Sequence, residues 1–148
     1  MKRLKFIREY YGYTQDEVAT VLNVKRQNYV EFENDKRPIP LKHLYNLCNY
    51  YKINMDYMTN LSNEEHKIIC NKDIDKQLVG QRLLYFRTSK KLSQRQLAKE
   101  LGVSDAIISK YENGKCLILL NTVLKLCQKY NISLDWLTGR SETMYRNN

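Results

Sequence analysis

Apolar residues recur along this chain at helical spacing, and no stretch shows a sustained period-2 alternation. Over 75–89, Leu78, Val79, Leu83 and Phe86 predict one amphipathic helix. Ser93 then offers an N-cap, with Gln96 three residues later completing a capping box ahead of Leu97, Ala98 and Leu101. Gly102-Val103 breaks that helix, and Ser104 caps a third over 105–112. Asn113-Gly114 ends it, glycine being suited to the left-handed position past a helix end. A fourth helix, 120–130, turns Leu120, Val123, Leu124 and Cys127 inward, and Ser133 caps a short fifth one ending at Trp136-Leu137. The first part of the chain repeats the scheme. Thr14 and Glu17 precede Val18, Ala19 and Leu22, and Asn54 stands as N-cap of a last helix ending at Tyr57-Met58.

The likeness is an internal repeat. Shifted by 79 positions, residues 3–60 fall on 82–139 without a gap, and 18 of 58 pairs are identical. Arg3, Arg8, Gln15, Glu33-Asn34 and Lys36 meet Arg82, Arg87, Gln94, Glu112-Asn113 and Lys115. Cys48 meets Cys127, so both read as matched core positions. Two copies of so long a unit are too few for a solenoid and read instead as whole domains in tandem. We expect an all-α chain with a five-helix domain over 1–60, a linker over 61–74, a second five-helix domain over 75–140 and a tail over 141–148. The linker has its own capping box, Ser62-Asn63-Glu64-Glu65, which leaves room for a short helix.

Charge and composition narrow the function. The 148 residues hold 25 Lys and Arg against 16 Asp and Glu, a net of +9 that favours a polyanionic partner. The surplus is uneven: residues 1–60 carry net +3 and residues 79–148 net +7. Only 5 Gly and 2 Pro exclude collagen-like and flexible-linker classes. No stretch approaches the ~20 apolar residues of a membrane span. The opening Met1-Lys2-Arg3-Leu4-Lys5-Phe6 has charge without a following apolar run, so a cytoplasmic protein is expected. Four scattered cysteines and two histidines form no CxxC or HxxxH, and His66 with Cys70 supplies only two ligands, so no metal is expected. No P-loop, HExxH or nucleophile–base pair is present, and we expect neither catalysis nor a cofactor.

The segment from Ser93 to Gly114 closely resembles the Cro/cI-like (Xre) helix-turn-helix family of bacterial and phage repressors, whose fold is lambda-repressor-like. Thr14-Gln15-Asp16-Glu17-Val18-Ala19 and Phe32-Glu33-Asn34 resemble it again, placing the two motifs at about 14–33 and 93–112. The resemblance implies sequence-specific binding of double-stranded DNA and a role in transcription, most naturally as a repressor. The second helix of each motif would enter the major groove, where every base pair shows a distinct pattern of donors and acceptors. In copy one this puts Lys25, Arg26, Gln27, Asn28 and Glu31 at the DNA, Arg26 suited to guanine and Gln27 to adenine. Val30 joins the outward set, while Tyr29 and Phe32 face the core. In copy two the set is Ser104, Asp105, Ala106, Ser109, Lys110 and Asn113, with Ile108 and Tyr111 inward. Gln15 and Gln94 resemble the family's phosphate-contacting glutamines. Arg95 stands beside Gln94, and Lys36, Arg37 and Lys115 follow the reader helices where the family's loop meets the backbone.

Each copy departs from the family in a different place. Lys25 stands where Ser or Thr usually caps, and Asp35 where glycine usually follows the reader helix. Asp105 brings a carboxylate to a groove-facing position, and Cys116 and Leu119 replace the usual basic residue and proline. Eight of the 12 tyrosines lie in copy one, more than a small core needs, and tyrosine is favoured at interfaces. A homodimer or an intrachain pseudo-dimer would both serve DNA reading. The competing function is that of an antitoxin, one copy binding DNA and the other a protein partner; RNA or a membrane surface are the remaining polyanions.

Overall fold

A computed structural model describes residues 3–147. It divides into two compact units, 1–72 and 73–148, each built around its own core. Among the described residues there are ten helices and no named strand. Unit one holds α1 (Leu4–Tyr10), α2 (Gln15–Leu22), α3 (Arg26–Glu33), α4 (Leu41–Tyr51) and α5 (Met55–Met58). Unit two holds α6 (Lys76–Ser89), α7 (Gln94–Leu101), α8 (Asp105–Glu112), α9 (Leu120–Tyr130) and α10 (Leu134–Leu137). None of these helices is long and apolar enough to cross a membrane.

The local signals act where the sequence places them. Both capping boxes form, Thr14 with Glu17 and Ser93 with Gln96, so each bracing helix begins with two backbone donors satisfied reciprocally. Ser104 accepts from the Ile107 N–H and Ser133 from the Trp136 N–H. Lys25 provides no side-chain cap to α3, which begins with its amino end uncapped. After α8 the chain turns through Gly114 at φ +69°, and after α3 through Asp35 at φ +56°. Aspartate tolerates that left-handed conformation better than most residues, at a cost glycine avoids. The cores are the inward stripes: Val18, Leu22, Tyr29, Phe32, Leu44 and Leu47 in unit one, and Val79, Leu83, Phe86, Leu97, Ile108, Val123 and Leu126 in unit two. Leu124, expected inward, is only half-buried, and Leu126 occupies the core in its place.

Two expectations change. Residues 61–74 contain no helix. Residues 64–68 run extended along the α4–α5 turn of unit one, with Ile53 bridged to Lys67 and the Ile68 N–H donating to the Lys52 carbonyl. Asn54 does not cap α5. Its side chain holds the extended segment instead, Nδ2 donating to the Glu64 carbonyl at 3.1 Å and Oδ1 accepting from the His66 N–H at 2.8 Å. The Ser62 hydroxyl accepts from the Glu64 N–H two residues on, a turn that competes with helix formation. Residues 140–146 repeat the arrangement in unit two, with Ile132 bridged to Tyr145 and the Ser133 N–H donating to Met144. Arg3 and Arg82 tie each strap down through the carbonyls of Ser62 and Ser141, at 2.9 and 2.8 Å.

Candidate nucleic-acid interface

In each unit a buried ion pair joins the first helix to the end of the third. Arg8 Nε donates to Glu33 Oε2 at 2.6 Å and Nη2 to Oε1 at 3.2 Å; Arg87 and Glu112 repeat this at 2.6 and 2.9 Å. The same guanidinium reaches the loop before the bracing helix, donating to the Tyr13 carbonyl at 2.8 Å and to the Leu92 carbonyl at 2.9 Å. The carboxylate also takes the first residue of that helix. Gln15 Nε2 donates to Glu33 at 3.3 Å, and Gln94 Nε2 to Glu112 at 3.0 Å. One glutamate therefore fixes the end of α3 or α8, the preceding loop and the amino end of α2 or α7 in a single clamp.

The clamp is electrostatically coherent. Burial alone pushes the Glu33 carboxyl up, but the hydrogen bonds it accepts, first from Arg8, bring it below the ordinary carboxylate range. Arg8 and Arg87 are driven above their ordinary value chiefly by the hydrogen bond to their glutamates. Each glutamine amide carries two N–H groups and gives one to the clamp, leaving the other available beside the backbone N–H groups of the helix's first turn. The repeat matches Arg8 with Arg87 and Glu33 with Glu112 but by itself assigns them no role. The available signal was charged identity in a repeat that otherwise diverges.

Above the clamps lie the reader helices. Tyr29 and Phe32 of α3 and Ile108 and Tyr111 of α8 are buried, so the opposite faces look outward. Arg26 and Gln27 are exposed at the start of α3, and Asn28, Val30 and Glu31 are half-buried. Asp105, Ala106 and Lys110 are exposed on α8 and Ser109 is half-buried. Lys25, Lys36, Arg37, Arg95, Ser104, Asn113 and Lys115 are all exposed around these faces, and Gln15 and Gln94 are half-buried beneath them.

The two faces differ in charge. At three matched positions the sign reverses: Asp16 against Arg95, Arg26 against Asp105 and Glu31 against Lys110. In copy one the two arginines, Arg26 and Arg37, are held by their own neighbours. Arg26 lies 3.6 Å from Asp16 and donates to Gln15 Oε1 at 3.1 Å, while Arg37 lies 3.2 Å from Glu31 and donates to Asn28 at 3.3 Å. In copy two Arg95, Lys110 and Lys115 stand exposed, and among the described residues none is ion-paired. Asp105 turns back to accept from the Ala106 N–H at 3.0 Å, and Asn113 donates to the Ser109 hydroxyl at 3.3 Å. The first turn of α2 contains Asp16 and Glu17, whereas that of α7 contains no acid.

Residues 1–64 match a family described as helix-turn-helix domain, and residues 83–137 match one described as helix-turn-helix. The chain carries two helix-turn-helix domains in tandem, consistent with the Cro/cI-like (Xre) resemblance. It is similar to the HTH-type transcriptional regulator ImmR of Bacillus subtilis (strain 168), at 40% identity over 57 residues. That match covers 38% of this chain and 45% of ImmR, so the chain spans less than half of the relative it resembles. Within both helix-turn-helix domains the clamp glutamate is the last residue of the reader helix and the glutamine the first of the bracing helix. The orientation of the reader against its brace is therefore set by a buried charge, not by apolar packing alone.

Proposed function

We propose that the chain is a sequence-specific double-stranded DNA-binding transcriptional regulator, acting as a repressor by occupying its site. One observation carries this reading: in both domains the same Arg–Glu–Gln clamp holds the amino end of the bracing helix against an outward reader helix. A helix amino end with free N–H groups is a phosphate site, and a neighbouring helix of α3 or α8 dimensions enters the major groove. The net charge of +9 supplies the long-range attraction.

In this account Gln15, Gln94, Arg95, Lys36, Arg37 and Lys115 meet the backbone. Arg26, Gln27, Asp105, Ala106, Ser109 and Lys110 meet base edges, flanked by Lys25, Asn28, Glu31, Ser104 and Asn113. For Arg26 to reach a guanine it must leave Asp16, and an exposed ion pair of this kind holds it by only ~0–1 kcal/mol. Domain two, with its unpaired cations, supplies most of the affinity common to all sequences; domain one supplies more of the base choice. One chain using both readers recognises two unlike half-sites. A homodimer using one domain per chain reads a palindrome instead.

Selection from a random duplex library tests the proposal, since it reports binding, length and symmetry of the site together. An enriched asymmetric motif is expected. The slope of log K against log salt on the selected duplex should lie at about −5 to −9 if each domain engages ~3–5 phosphates. No enrichment, with a slope near zero, overturns the reading.

A further inference from the structure

We propose that domain one carries, apart from its reader helix, a docking surface for a protein partner that presents a basic, arginine-bearing segment. A chain of rings begins on α1 and crosses the α1–α2 loop to the end of α4. Phe6 stacks on Tyr10 at 6.4 Å between centroids, Tyr10 meets Tyr11 at 5.2 Å and Tyr11 stacks on Tyr51 at 5.2 Å. Tyr13 continues it, 6.0 Å from Tyr51 and 5.4 Å from Tyr50. Phe6 is 59% exposed, Tyr10 71%, Tyr11 40% and Tyr50 42%.

The fold does not need four of these rings, although Phe6 and Tyr51 keep aromatic counterparts in Tyr85 and Tyr130. At the matched positions of Tyr10, Tyr11, Tyr13 and Tyr50, domain two has Ser89, Lys90, Leu92 and Lys129, and the same helices form at the same lengths over α4 and α9. Exposed aromatic area that packing does not require marks an interaction surface.

Charge identifies the occupant. Glu65 accepts from the Tyr11 hydroxyl at 3.2 Å, Glu17 lies close enough to Tyr50 to act on it electrostatically, and Glu9 stands exposed next to Tyr10 on α1. Their counterparts in domain two are Met144, Gln96 and Thr88, so every one of these carboxylates is lost there. Lys5 and Lys52, exposed and next to Phe6 and Tyr51 in sequence, are outnumbered. An anionic aromatic surface repels phosphate and attracts guanidinium groups, which stack on tyrosine faces while pairing with carboxylates. The same domain already shows this chemistry internally, with the Arg3 guanidinium 4.2 Å from the centroid of the Tyr57 ring. The surface is independent of the DNA reading and leaves the reader helices free.

The test uses the full chain and a random 12-residue peptide library displayed on phage. The control is a triple variant carrying the residues of domain two, Tyr10→Ser, Tyr11→Lys and Tyr50→Lys, confirmed folded by its helical circular dichroism and melting transition. Enrichment of arginine-containing peptides is expected, with affinity for the variant at least tenfold weaker and a further loss in Glu9→Gln with Glu65→Gln. DNA affinity of the triple variant should be unchanged or higher, because it gains two cations. Peptides that lack basic residues, bind both proteins equally or fail to enrich overturn the proposal. So does light scattering that shows self-association of the wild-type chain abolished in the variant, which would make a second copy the occupant. A fivefold or greater loss of DNA affinity in the variant would assign the patch to DNA.

Discussion

Replacing Glu112 with Gln keeps the shape of the domain-two clamp and removes its charge. The Arg87 side chain, 13% exposed, then faces no anion, and one of its two hydrogen bonds to the partner, at 2.6 and 2.9 Å, loses its acceptor. Removing one partner of a buried pair costs ~3–5 kcal/mol, and the remaining amide oxygen recovers part of that, which leaves a loss of about 2–4 kcal/mol. A unit of this size has about 4–11 kcal/mol in all, so the effect is a large fraction of its stability. Trp136, the only tryptophan, lies buried in α10 of the same unit and reports its unfolding without interference. With a urea slope of ~1 kcal/mol/M, the fluorescence midpoint should fall by about 2–4 M. Glu142→Gln is the control, because its pair with Arg82 is made by a carboxylate 89% exposed and screened by water. A midpoint that moves by less than about 0.5 M in Glu112→Gln, or as much in Glu142→Gln, refutes the clamp as a structural element.

Further outcomes follow from the same contacts. Because the folded-state value of Glu33 is depressed, its stabilisation is present above the ordinary carboxylate range and lost as pH falls through the depressed value. Glu33→Gln should flatten that acid limb when domain one is followed by circular dichroism, and an unchanged limb would count against the assignment. Burial, and then Lys42, lowers His43, so neutral His43 is accommodated above the ordinary histidine range and stability falls as pH drops below it. His43→Thr, the residue domain two has at Thr122, should remove that component and leave the carboxylate limb, as pH-dependent thermal melts would show. Lys115→Ala and Gln94→Ala should weaken binding to all duplexes alike, and loss of Lys115 should make the salt slope shallower by about one. Sequence-dependent effects would move both residues from backbone to base contact.

The helices were legible because their signals are local. Capping boxes, a glycine past α8 and apolar stripes act within a few residues, and the 79-residue repeat shows each of them twice. The straps were not, because Asn54 and Ser62 satisfy caps and turns alike, and only the tertiary position of 61–67 against the α4–α5 turn decides between them. The clamp was half legible: Arg8, Gln15 and Glu33 are far apart in sequence, and only their identity with Arg87, Gln94 and Glu112 linked them. The outward faces of α3 and α8 were read from periodicity, but the internal pairing of Arg26 and Arg37 depends on side-chain geometry that no spacing rule contains. The ring chain of domain one was visible as a surplus of tyrosine, and became a surface only when exposure and the matched residues of domain two were set beside it.

The most direct test of the central claim compares Arg26→Ala and Lys110→Ala with the wild-type chain on the selected duplex and on random DNA, at one salt concentration. Loss of a base-edge contact costs ~1–3 kcal/mol on the selected site and little elsewhere, so at least one variant should reduce the ratio of the two affinities by about fivefold or more. Arg26→Ala should relax the preference at a single base pair. If the ratio is unchanged in both variants, α3 and α8 do not read the bases and the reader-helix account is wrong.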